Sequence, residues 1–254
     1  MPEATVRALA LIFAIYAGVF ILSELAGNSW MLWLLALPLI AGLQNHLFLL
    51  HHEGAHGLLH PRRAVNDVLT NFFCGYPFFE SLSAYRRFHF AHHRHVCDEE
   101  RDPEIPFYRE QGYNYQPLTR RQKWKLALLD LSGVHWLQFF VSFLVHSSRS
   151  EGGKGRENVG TLLVFGIALV LLLIAGGAQT LFWFWFVPQV TVAFYFAKLR
   201  GYYEHGARVG EMENFTGNRP VPLWQKFFIF PLRSNLHATH HRNPRTEWFR
   251  LRAN

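Results

Sequence analysis

The chain has 254 residues, half of them hydrophobic and 16% aromatic, with 25 Lys and Arg against 18 Asp and Glu for a formal charge of +7. That length suits one domain, and the apolar share favours a membrane protein over a soluble one. Mean hydropathy is only +0.03 because apolar blocks alternate with polar ones, and two cysteines outside any CxxC pair, Cys74 and Cys97, exclude a disulfide framework.

In chain order, four stretches are long and apolar enough for a membrane-spanning helix of about 20 residues: 7–23, 30–50, 159–177 and 181–199. Glu24 to Ser29 separates the first two and a short turn near Gly176 to Thr180 the last two, so each pair reads as a hairpin. The predicted fold is an all-α membrane protein, one domain over 1–254, with four transmembrane helices in two hairpins and a cytoplasmic helical cap. Lys and Arg avoid both short turns: Arg7 opens the first span, 14 lie between Arg62 and Arg156, and 10 between Lys198 and Arg252. By the positive-inside rule both termini and the central segment are cytoplasmic. The basic balance is therefore a topology signal, and nucleic acid is not an expected partner. The first segment lacks a small-residue cleavage site and is expected to be retained. Residues 124–146 rival these spans but carry Lys125, Asp130, His135 and Gln138. A fifth crossing would also put the last histidine group on the opposite face. With 65–81, this region is expected to form helix in the interface or on the cytoplasmic face. The run Phe182 to Phe186 reads as an aromatic belt at the membrane edge rather than a tunnel lining.

Most of the 15 histidines fall into tight groups. His51-His52-Glu53-Gly54-Ala55-His56, with His60 beyond, continues from the second span, and His52, His56 and His60 share one helical face. His89-Phe90-Ala91-His92-His93 and His237-Ala238-Thr239-His240-His241 both read HxxHH. Chance would supply such a triplet about 0.05 times in this composition, so two of them call for a cause. In a helix, i and i+3 share a side and i+4 reaches a neighbouring ion, which suits two metals side by side. Eight or nine imidazoles are too many for one tetrahedral zinc, although imidazole alone suits iron, zinc or copper. His205, about 9 Å beyond Leu199 along a continued helix, sits at the depth where the first group emerges.

His52-Glu53-Gly54-Ala55-His56 also satisfies HExxH, the zinc metalloprotease pattern, but that reading leaves both HxxHH groups unexplained. A metal transporter would place its ligands inside the membrane, whereas these groups lie beyond the span ends.

The three groups in this order resemble the membrane fatty-acid desaturase family, whose boxes read HDxxH or HExxH, then HxxHH twice, and Arg200 to Gly206 is similar to a stretch before the third box in bacterial members. The resemblance covers most of the chain, from His51 onward. It implies a cytoplasmic pair of iron ions held by His52, His56, His89, His92, His93, His205, His237, His240 and His241. His51, His60, His95, Glu53, Glu204, Asp98 and Asp102 are the residues expected to orient those ligands through hydrogen bonds. Two departures stand out: Thr239 replaces the Glu or Gln that often precedes the final pair, and the chain ends soon after the third box.

An unactivated C–H bond requires redox chemistry. The resemblance implies iron, dioxygen as co-substrate and introduction of a C=C bond into a fatty-acyl or related aliphatic chain, with hydroxylase or ketolase activity as the nearest alternative. No dinucleotide fingerprint, thiolate cluster or haem module occurs in the sequence, so electrons are expected from a separate carrier, ferredoxin-like or similar, with its own reductase. An acidic carrier suits the basic cytoplasmic face.

Overall fold

The computed structural model describes residues 1–113, 117–149, 177–206 and 217–253, together with 163, 166, 167, 170, 171 and 174. Among the described residues all regular structure is helical, apart from one isolated bridge between Asn218 and Leu236. Three helices are long and apolar enough to cross a membrane: α1 (Glu3–Ala26), α2 (Trp30–Ala55) and the long helix ending at His205 (Ala178–His205). They contain the predicted spans 7–23, 30–50 and 181–199. The predicted span 159–177 lies for the most part outside the described residues.

Between α1 and α2 the chain reverses at Gly27, whose φ of 48° suits a residue without Cβ. Ser29 then caps α2 by accepting from Leu32 N. Small and branched residues at helical spacing form the seam. Ala8, Ile12 and Ile15 gather with Leu47 and Leu50, while Val19 and Ala26 gather with Ala36 and Ile40, so the two helices run in opposite directions. Phe13, Phe20, Leu25 and Leu35 face outward. So much exposed apolar surface is expected where the surrounding solvent is lipid.

Further helices gather at the C-terminal end of α2. α3 (Arg63–Thr70) runs on through a π-type turn at Asn71–Gly75 and a 3-10 turn at Tyr76–Phe78. Val68 and Phe72 on this stretch are exposed. Ser81 caps α4 (Leu82–His95) through Ala84 N. α5 (Glu104–Glu110) follows, then α6 (Arg120–Leu131) and α7 (Val134–Arg149). The stretch 124–146 is thus two helices, broken at Gly133 with φ 79°; Lys125 and Gln138 are exposed, while Asp130 and His135 are buried and paired. Asp130 accepts from His135 Nδ1 at 2.6 Å and from the Tyr113 hydroxyl, which leaves no unpaired charge in the bend.

The long helix Ala178–His205, α8, contains π-type turns at Phe182–Phe186, Gln189–Ala193 and Tyr202–Gly206. Such turns divert backbone carbonyls from the helical ladder. Trp183 O accepts from the Trp33 indole at 2.9 Å and Trp185 O from the Gln44 amide at 2.8 Å. The aromatic run is divided: Phe182 and Trp183 are exposed, while Trp185 stacks on Tyr16 at 5.5 Å and donates to Pro77 O. Deeper in the same seam Arg200 donates to Asn45 Oδ1 at 2.7 Å, and Asn45 donates to Phe228 O in α9 (Leu223–Phe228). These polar ties between apolar helices hold the C-terminal ends of α2 and α8 together. α10 (His237–Arg242) closes the described structure on this side.

Candidate metal centre

Four chain segments end on one spot. The last turn of α2 carries His52, with His56 just past its end; α4 carries His89, His92 and His93; α8 ends in His205; α10 carries His237, His240 and His241. The nine rings form two groups, His52, His56, His89, His93 and His240 in one, His92, His205, His237 and His241 in the other. Within each HxxHH motif the residues four apart share a group and the middle residue turns to the other: His89 and His93 against His92, His237 and His241 against His240. The groups adjoin where the His93 and His241 rings stack at 4.2 Å.

Nε2 atoms point inward. His56 and His89 Nε2 lie 2.8 Å apart and His93 and His240 Nε2 3.2 Å apart; His205 and His237 Nε2 lie 2.8 Å apart and His237 and His241 Nε2 3.0 Å apart. Donors at about 2.1 Å from a shared ion at right angles sit about 3 Å from one another, so the residues fit a metal in each group. His92 makes the case atom by atom. Its Nδ1–H donates to Asp102 at 3.0 Å, which leaves the lone pair on Nε2, and that buried nitrogen has no hydrogen-bond partner. Burial lowers the pKa of His56 to about 4 and of His93 to about 3. It also lowers His89, His237, His240 and His241, with neighbouring imidazoles adding to the effect. These rings are therefore neutral at physiological pH, as ligands must be. His92 is the exception, because the Glu104 and Asp102 carboxylates outweigh its burial and raise it.

Three carboxylates stand behind the rings, on the nitrogens that face away from the groups. Glu53 Oε1 lies 3.5 Å from His52 Nδ1 and its Oε2 accepts from Trp248 N. Asp102 holds His92, and Glu204 Oε1 lies 3.8 Å from His237 Nδ1. Four other residues expected to orient ligands stand elsewhere. Asp98 is taken up by Arg101 and by the backbone of Glu100 and Arg101, because it caps the turn leaving α4. His95 belongs to that same turn, its carbonyl accepting from Asp98 N. His60 Nδ1 accepts from Arg62 N, and His51 is buried against the Tyr85 ring at 4.8 Å with Glu80 3.8 Å from its Nδ1. Sequence reasoning missed Tyr85, stacked on His89 at 5.3 Å, and Glu104, whose Oε2 lies 3.7 Å from His92 Nδ1. It also missed Arg86, which donates to Gly54 O and Ala55 O and grips Asp67 with both terminal nitrogens. With Asn66, which also donates to Gly54 O, Arg86 satisfies the carbonyls at the end of α2 and so fixes His52 and His56. Gly54 permits this, since a Cβ there would collide with Thr70. Thr239, the departure in the third box, donates N–H to Asn218 Oδ1 and accepts from Asn218 Nδ2, which pins the first turn of α10.

Asp102 carries the most contacts of these supporting groups, accepting from His92, Cys97 N and Glu104 N. Asp102→Asn keeps the volume but removes the charge and one acceptor. Metal affinity, measured by competition with a chelator, is expected to fall 10- to 100-fold, roughly the scale for such partners.

A cavity of about 420 Å³ opens beside the first group, lined by His56 and His93 with His60, Arg63, Arg86 and Arg245 around it. Its rim is basic.

Among known proteins, the sequence profile of the fatty acid desaturase family matches residues 28–254. The chain is also similar to dihydrorhizobitoxine desaturase of Bradyrhizobium elkanii, at 28% identity over 232 residues that cover 85% of this chain and 64% of that relative's length.

Proposed function

The chain belongs to the fatty acid desaturase family, and from that premise we propose that it is a membrane oxidoreductase which uses two histidine-bound irons and dioxygen to introduce a C=C bond into an aliphatic chain. The observation that carries this reading is the convergence of nine imidazoles into two adjoining groups at the ends of apolar helices. When bound, such irons supply the electron and oxygen chemistry that an unactivated C–H bond requires.

The protein's own residues do the rest. Tight packing of the rings, with His89, His92, His205 and His240 no more than 3% exposed, keeps bulk water from the centre. Asp102 fixes the His92 ring by a hydrogen bond, and Glu53 and Glu204 stand behind His52 and His237. The exposed apolar faces of α1 and α2 support a substrate chain held in the membrane, and the placement of Lys and Arg supports an active site and termini on the cytoplasmic side. The basic cavity beside His56 and His93 suits an acidic, separately encoded electron carrier. Glu53 argues against a zinc protease: its Oε2 accepts from Trp248 N and its Oε1 faces His52 Nδ1 at 3.5 Å, on the far side of the ligand from the converging nitrogens. Candidate substrates are fatty-acyl chains and, given the name of the Bradyrhizobium relative, dihydrorhizobitoxine.

The test is a detergent-purified protein assayed with a reduced ferredoxin, oxygen and these substrates. Roughly two irons per chain and an oxygen-dependent product lacking one pair of hydrogens is the expected result. A product that has gained one oxygen instead would assign hydroxylation, and zinc alone with peptide hydrolysis would overturn the reading.

A further inference from the structure

The two histidine groups are unequal, five rings against four, and nine imidazole ligands bring no negative charge to balance buried cations, an arrangement that is costly without compensation. Glu53, Asp102 and Glu204 each address a nitrogen that points away from the groups. Glu104 is placed differently. Its Oε2 lies 3.9 Å from His205 Nε2, an inward-facing nitrogen that is itself 2.8 Å from His237 Nε2. Two donors on one ion at about 2.1 Å are separated by roughly 3 to 4 Å, a range that includes this distance. Its other near neighbour, His92 Nδ1 at 3.7 Å, is too far for a hydrogen bond, and its proton already goes to Asp102.

The backbone around Glu104 is built to hold it there. Asp102 Oδ1 accepts from Glu104 N at 3.0 Å, so one carboxylate fixes both His92 and the start of α5. The far end of α5 is clamped on α8. Lys198 Nζ lies 4.1 Å from the Phe107 ring centre, 3.8 Å from that of Tyr108 and 5.1 Å from that of Tyr113, a cation–π cage. One turn further along α8, Gly201 leaves the space that the Tyr108 hydroxyl fills. Lys198 and Gly201 precede His205 on the same helix, so α5 is registered against the ligand it faces.

We propose that the Glu104 carboxylate is an oxygen ligand to the ion held by His92, His205, His237 and His241, giving each ion five protein donors and placing the only anionic one on the second ion. This rests on the two-ion reading above. The test compares wild type, Glu104→Gln and Glu104→Asp after loading with iron-57, by metal content and Mössbauer spectroscopy of the reduced protein, with circular dichroism as a folding control. In Glu104→Gln one of the two iron doublets is expected to shift or vanish, iron content falling from about two toward about one per chain, while the other doublet is unchanged. Glu104→Asp, which keeps the carboxylate on a shorter arm, is expected to retain both irons with only that one doublet altered, and serves if the glutamine variant does not fold. Both doublets unchanged in both variants would overturn the assignment of Glu104 alone. Wild-type protein without a two-iron signal would overturn the centre itself and Glu104 with it.

Discussion

His240→Ala is expected to lower turnover by more than about 100-fold, beyond the range typical of residues that only orient a ligand, and to deplete one ion selectively. The His240 ring is buried against His52 at 4.5 Å and His56 at 4.8 Å, with its Nε2 3.2 Å from that of His93. Truncation removes one of five donors and leaves a hole that water can enter. His241→Ala, one residue along, is expected to deplete the other ion, because that ring sits with His205 and His237. Iron content and Mössbauer spectra of the two single variants distinguish the ions, and loss of the same doublet in both would refute the division into two groups. His95→Ala is the control. It is the last residue of α4, outside both groups, and its effect on stability is expected to stay within about 0.5 kcal/mol.

The metal-free protein is expected to be labile to acid well above the pH at which most proteins unfold. An unfolded histidine titrates near pH 6.5, whereas burial holds folded His56 to about 4 and His93 to about 3. Above pH 6.5 both states are neutral and nothing is lost. As pH falls from 6.5 toward 4 the unfolded chain binds protons that the folded chain refuses, and stability drops. For these two rings the loss is about 2–3 kcal/mol per pH unit. His89, His237, His240 and His241 are lowered too and act in the same direction, while His92, raised by its carboxylates, acts in the opposite one. Thermal unfolding of chelator-treated protein in detergent at pH 7.5 and 5.5 reads this directly. The expected outcome is a marked fall in Tm for metal-free protein and a smaller one for iron-loaded protein. Equal Tm values at the two pH values in metal-free protein would contradict the buried, neutral state of the rings.

The parts of this centre legible in sequence are those set by helical period. HxxHH announced two ions side by side but not which rings share one: i and i+3 were expected together, whereas His89 and His93, four apart, share a group and His92 turns to the other. The parts that were not legible depend on where a turn sends the chain. Asp98 and Asp102 look equivalent in sequence. Asp102 turns inward because its carboxylate also receives the backbone of Cys97 and Glu104, while Asp98 closes a turn on Arg101. Glu104 approaches His205 only because α5 folds back onto α8, a contact between residues about a hundred apart that no local pattern announces. The break at Gly133 had a visible cue, a glycine ahead of a renewed apolar run, yet the pairing of Asp130, His135 and Tyr113 that stabilises it is tertiary. The three described apolar helices lie where 7–23, 30–50 and 181–199 were expected, but the first two run longer, since α1 starts at Glu3 and α2 extends to Ala55, into the polar residues that hydropathy alone trims away.

The neighbouring rings His240 and His241, sent to different groups, set a frame for how such a sequence can change over time. One residue inserted or deleted inside α4 or α10 rotates everything beyond it by about 100° and exchanges the groups' donors. Length variation within the boxes should therefore be lethal to the centre. Outside Asp102 to Glu104 and His205, the connections between them carry no ligand, and there related chains are expected to lengthen, shorten and diverge.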